Sequence, residues 1–148
     1  MTGRLRKTSI VLAILVIAFA AAQVVRPERT NPAIDLSHTI QAQAGTPIGL
    51  AAVLDRACRD CHSNATVWSS YTQIAPVSWV IASAVKEGRA VVNFSEWSSY
   101  PPAKQRALLA ASCDSASKGK MPGDAYTLFY PQARLSAQDV ETICAAAR

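Results

Sequence analysis

Apolar side chains gather in one run near the start of the chain and recur at helical spacing further on. Ile10 to Ala22 is continuously apolar and sits inside an uncharged stretch of 18 residues, Thr8 to Val25. At ~1.5 Å per residue, a helix over that stretch reaches roughly 27 Å, close to the ~30 Å hydrocarbon core of a bilayer. Arg4, Arg6 and Lys7 precede it, so the pattern reads as an export signal. We expect residues 1–25 to form a signal-anchor or transmembrane helix, with cleavage after the small residues Ala20-Ala21-Ala22 as the alternative. The basic flank faces the cytoplasm, which places everything after Val25 outside it. That predicts a single-pass protein of a bacterial inner membrane with its folded part in the periplasm, or a soluble periplasmic protein if the signal is removed.

Residues 26–45 read as a tether, because Pro27, Asn31, Pro32 and Gly45 interrupt any apolar period. The helical period returns with residues 46–148. Thr46-Pro47 predicts an N-cap followed by proline at the first helical position, and Leu50, Val53, Leu54, Ala57, Cys58 and Cys61 then share one face. A second helix is predicted from Pro76 through Val85, ending near Gly88 as a left-handed C-terminal residue. A third follows Pro101-Pro102, with Leu108 and Leu109 inward and Gly119 past its end. The last starts at Ser136, where Ser-Ala-Gln-Asp139 resembles a capping box with Asp for Glu. No strand pair or two-residue hairpin turn is evident. The expected fold is all-α, a small bundle of about four helices with long loops, preceded by the N-terminal hydrophobic helix.

The formal charge is +5, but Arg4, Arg6 and Lys7 account for three of the 15 basic residues. The remaining 12 face 10 acidic residues, leaving +2 with no basic stripe, so nothing points to nucleic acid.

The chemistry is concentrated at Cys58-Arg-Asp-Cys-His62. Two thiols about one helical turn apart can meet the two vinyl groups of a haem, and a histidine beside the second can reach its iron. A zinc site would need a second close ligand pair, whereas Cys113 and Cys144 lie 31 residues apart with no histidine near either. A thioredoxin-like dithiol belongs at a strand-to-helix turn, which is missing. One covalently attached haem c is therefore expected on Cys58, Cys61 and His62.

Composition narrows the iron's other ligand. The chain has two histidines and two methionines, and setting aside His62 and the initiator Met1 leaves His38 and Met121. His38 falls in the tether and reads as a solvated polar residue. Met121, in Lys118-Gly-Lys-Met-Pro-Gly123, is poorly placed for a helix core and is the expected sixth ligand, with core filling as the competing reading. Cys113 and Cys144 fall on the third and last helices, and in an oxidising compartment they are expected to form a disulfide. Trp68, Trp79 and Trp97, with Tyr71 and Phe94, are candidate walls of the pocket. Arg89 and Lys120 are possible propionate or partner contacts, although solvated surface charge is the plainer reading. Glu96 reads as a helix cap, and Tyr130 as a half-buried packing residue.

The run Cys58 to Trp68, with Tyr71, Ile74-Ala-Pro-Val-Ser-Trp79, Glu87-Gly-Arg89, Asn93-Phe-Ser-Glu-Trp97, Gly119-Lys-Met-Pro122 and Ala133-Arg-Leu-Ser136, resembles the bacterial haem-binding domain family with a C-x-x-C-H motif. The resemblance covers about residues 30–148 and implies a small, exported c-type cytochrome-like domain, a type also found joined to cytochrome c and di-haem peroxidase modules. Phe129-Tyr-Pro131 departs from it, with Tyr130 where similar proteins tend to carry histidine.

The resulting expectation is an electron carrier and not an enzyme, exchanging single electrons with periplasmic or membrane redox proteins. The alternatives are a haem-based sensor or ligand-binding module with an open sixth position, or an accessory domain of a peroxidase system.

Overall fold

The computed structural model describes residues 2–148; Met1 lies outside them. Among the described residues there are seven α-helices and no strand: α1 (Thr2–Ala22), α2 (Ile48–Ala57), α3 (Arg59–His62), α4 (Val77–Val91), α5 (Pro102–Ser117), α6 (Asp124–Phe129) and α7 (Ala137–Ala145). The all-α class agrees with the sequence pattern. Two helices, α3 and α6, are too short for a period to reveal them. The described residues divide into two compact units, one of residues up to 30 together with 68–84, the other of residues 31–67 and 85–148.

In the first unit, α1 follows the apolar run, and Ile10, Leu15, Ile17 and Phe19 are each more than half exposed. Among the described residues, no helix is long and apolar enough to cross a membrane, so the expected transmembrane helix is not supported. The physical reason is that the apolar run proper, Ile10 to Ala22, is 13 residues. As a helix it reaches only about 20 Å of the ~30 Å required, and the preceding turns carry Arg4, Arg6 and Lys7. Just after the helix, the Gln23 side chain accepts from the Ala75 N–H at 2.9 Å and donates to the Ala75 carbonyl at 3.3 Å. The Trp79 indole N–H donates to the Val25 carbonyl at 2.8 Å, and Arg29 donates to that of Thr72 at 2.9 Å.

The second unit holds the core, built on Ile40, Leu50, Val53, Leu54, Val92, Phe94, Trp97, Ala116 and Ile143. Helix α7 packs against both α5 and α2. It starts as its sequence predicts: Ser136 accepts from the Asp139 N–H and the Asp139 carboxylate accepts from that of Ser136, a complete capping box. The Cys113–Cys144 disulfide joins α5 to α7, and Gly119 past the end of α5 has φ +63°, where a side chain would be strained. Arg56 of α2 pairs with Asp139 at 2.8 Å and donates to the Arg134 carbonyl at 3.1 Å, tying α2 to α7 and to the turn before it.

Three expectations need revision. Helix α2 begins one residue late, with Pro47 at the cap, and the Thr46 hydroxyl donates instead to the Ile40 carbonyl at 2.7 Å. Helix α4 runs past Gly88 to Val91, so Gly88 is an interior helical residue and not a left-handed terminus. The segment read as a tether forms two 3-10 turns, Leu36–His38 and Ile40–Ala42, and Ile40 is 2 % exposed in the core. Turns of three residues are too short to show an apolar period. Replacing Ile40 by Ala should therefore cost about 2–5 kcal/mol of unfolding free energy, the usual range for truncating a buried aliphatic side chain. Denaturant unfolding reads this, and a change within about 0.5 kcal/mol would match a surface spacer instead.

Candidate functional site

The site is built where α2 gives way to α3. Cys58 closes α2 by donating its N–H to the Leu54 carbonyl at 3.0 Å, and its own carbonyl accepts from the His62 N–H at 3.0 Å. One helical turn therefore carries Cys58, Cys61 and His62 along one side. All three line an apolar pocket with about 900 Å³ of empty space, counting its open mouth. Leu54, Val92, Phe94, Leu108, Leu135 and Ile143 supply walls, and Met121 and Tyr126 come in from beyond α5. The structure thus brings together Cys58, Cys61, His62 and Met121, residues drawn from distant parts of the chain.

His62 is oriented from behind. Its Nδ1 lies 2.9 Å from the Gly88 carbonyl oxygen and 3.2 Å from that of Val92. Carbonyls only accept, so Nδ1 carries the proton, and Nε2 keeps its lone pair for an electrophile such as iron. Burial holds the imidazole below its usual pKa, which favours this neutral form. Burial also pushes the Cys58 thiol up to about 12, with the neighbouring Cys61 adding to the effect, and raises Cys61 as well. A redox dithiol needs the opposite, a depressed thiol pKa, so the dithiol reading loses ground. Both cysteines are free of disulfide bonds.

Helix α4 lies against this turn with no room to spare. A Cβ added at Gly88 would stand 2.4 Å from the Cys61 carbonyl oxygen, a backbone atom that cannot swing aside. The absence of a side chain at Gly88 is what lets its carbonyl reach His62.

The loop after His62 is held by buried polar groups. Asn64, 2 % exposed, donates its amide to Glu96 at 3.0 Å, while its oxygen accepts from Asn93 Nδ2 at 2.7 Å. Arg89 donates to the Ser63 carbonyl at 2.7 Å and to Thr66 Oγ1 and Asn31 Oδ1 at 2.8 Å each. On the other side of the motif, Asp60 accepts from the Val67 N–H at 3.1 Å and from the Tyr126 hydroxyl at 2.9 Å.

Residues 17–148 match the family described as Haem-binding domain. The chain belongs to that family. No curated protein and no solved structure matches it.

The pocket fits a haem on its own chemistry: apolar walls, two thiols on one edge, and an imidazole whose free nitrogen belongs to the cavity. Haem binding is thus a property of this domain. Among the described residues, no group of three or more His, Cys, Asp or Glu side chains could hold a metal ion.

Other readings shift around the haem pocket. His38 is solvated, 4.0 Å from Asp35, and does not line it. Phe94 is a wall, whereas Trp97 packs in the core edge-on to Tyr100, and Trp68, Tyr71 and Trp79 belong to the first unit. Arg89, half-buried, braces loops. Glu96 is not the cap; Asn93 is, accepting from the Ser95 N–H at 3.0 Å, and Glu96 serves Asn64. Tyr130, half-buried, stacks on Tyr126 with ring centres 4.9 Å apart. The sequence reading gave Asn64, Asp60 and Tyr126 no role. For Asn64, the available signal was an amide following the motif with no glycine or proline to make it a turn residue.

Gly88→Ala should lower apoprotein stability by roughly 1–3 kcal/mol, as overpacking does, and reduce haem loading. Gly49→Ala, where the nearest atom would be a Thr142 methyl at 3.6 Å, is the control expected to be tolerated. Urea unfolding and the haem-to-protein ratio check both.

Proposed function

We propose that this is an exported monohaem c-type cytochrome-like protein that transfers single electrons. The observation that carries the reading is the convergence of Cys58, Cys61, His62 and Met121 on one apolar pocket, with His62 locked so that only Nε2 faces a metal. Cys58 and Cys61 would hold the haem through thioether bonds, each S–H adding across one vinyl group so that nothing leaves. Bound there, haem supplies a one-electron couple at its iron. The chain's own residues would hold it: His62 through Nε2, with Met121 as the candidate second ligand and apolar walls around it. A thioether ligand favours the reduced state and raises the potential.

If both residues bound the iron, no position would be left open for chemistry, and the protein would act as a carrier between periplasmic or membrane redox partners. The basic flank and the 13-residue apolar run have the layout of a secretory signal, which supports export of residues 26–148 to the periplasm.

One observation favours a second reading. Met121 is 51 % exposed, so it is less firmly buried than a permanent ligand need be. An easily displaced methionine would make the domain a haem-based sensor or ligand-binding module, or an accessory to a peroxidase system.

Absorption spectra of the oxidised and reduced protein, with and without carbon monoxide, separate the two. A carrier shows a far-red methionine-to-ferric-iron band and a reduced spectrum that carbon monoxide leaves unchanged. Met121→Ala should abolish the band, admit carbon monoxide and lower the potential. A wild-type protein that binds carbon monoxide at once and lacks the band would sink the carrier reading in favour of the second.

A further inference from the structure

Met121 comes to the pocket on the loop between α5 and α6, which is tied at its two ends to different things. At its start, the Lys120 and Met121 N–H groups donate to the Ser115 carbonyl at 2.9 and 3.4 Å, so the loop folds back on the last turns of α5. At its end it enters α6, a helix of six residues. From that helix Tyr126 lines the pocket and donates its hydroxyl to Asp60 at 2.9 Å. Asp60 stands between the two motif cysteines, and its side chain is 15 % exposed. This bond therefore joins the wall that carries Met121 directly to the turn that carries His62.

We propose that Tyr126 is a positioning residue for the methionine side of the haem pocket, tying α6 to Asp60 and thereby setting how firmly Met121 is held towards the iron. The inference rests on the reading of Met121 as axial ligand. Two features make the tie firm. The acceptor is a carboxylate, which accepts a stronger bond than a neutral oxygen does, and its other oxygen is fixed by the Val67 N–H. The Tyr126 ring is also stacked on Tyr130 at 26° between planes, which limits its swing. Burial, seconded by the bond to Asp60 and its charge, pushes the phenol above the ordinary tyrosine pKa, so it remains a donor at every working pH. The half-exposed Met121 has little packing of its own to replace this tie.

The test uses the haem-loaded protein and Tyr126→Phe, which keeps the ring and removes only the hydroxyl. The variant should show a weakened far-red band and bind carbon monoxide in the reduced state about tenfold faster, equivalent to ~1.4 kcal/mol in methionine retention. Adding Tyr126→Phe to Met121→Ala should change nothing further, because the tyrosine acts through the methionine. Should Tyr126→Phe fail to fold, Asp60→Ala reads the same bond from its other end and should have the same spectral effect, with Asp60→Asn, which keeps an acceptor oxygen, restoring the band. A wild-type band and carbon monoxide rate in Tyr126→Phe would overturn the proposal while leaving Met121 as ligand. A wild-type protein that Met121→Ala leaves unaltered would overturn both.

Discussion

A half-buried imidazole must find partners for its nitrogens or lose the free energy of their hydration, and here the partner of one nitrogen decides the use of the other. His62 gives its Nδ1 proton to the carbonyls at Gly88 and Val92, both from the last turn of α4 or the residue after it. Nε2 is thereby left unprotonated and belongs to the cavity. Much of the second unit can be understood as what keeps those carbonyls in reach: the bare Cα of Gly88 against Cys61, Val92 in the core, and Arg89 pinning the loop that leaves the motif.

The pocket has two halves of different construction. The histidine half is covered by helix and fastened by buried amides, above all Asn64 between Glu96 and Asn93. The methionine half is a loop held by α5 at one end and, at the other, leading into α6, whose Tyr126 bonds to Asp60. The Cys113–Cys144 bridge sits at the base of that second half, securing α5 two residues before the Ser115 carbonyl that receives the loop. A haem bound in this pocket would meet a firmly fastened histidine side and a more loosely fastened methionine side.

How much of this was legible in the sequence follows from what kind of signal each part carries. The motif residues were readable because their spacing is itself the chemistry, and the capping box at Ser136 and the start of α5 at Pro102 because capping is local. The disulfide was readable from two cysteines on apolar faces. Ile40, Asn64 and the Asp60–Tyr126 bond were not, since each matters through partners dozens of residues away. At the N-terminus the sequence offers two lengths, 18 uncharged residues or 13 continuously apolar ones, and only the longer suggests a full span. Gly88 offers a similar choice: glycine near a helix end suggests a terminus, and only the approach of Cys61 reveals that the absence of a side chain is the requirement.

The proposed carrier role depends on one haem being joined to this chain through Cys58 and Cys61. The most direct test of that attachment is the intact mass of the protein made in a host equipped for c-type maturation, taken after unfolding in acid. The account predicts the chain mass plus one whole haem, with the haem still attached, and loss of attachment when both cysteines are replaced by Ala. A chain mass without the haem increment, or haem that washes off on unfolding, would contradict it.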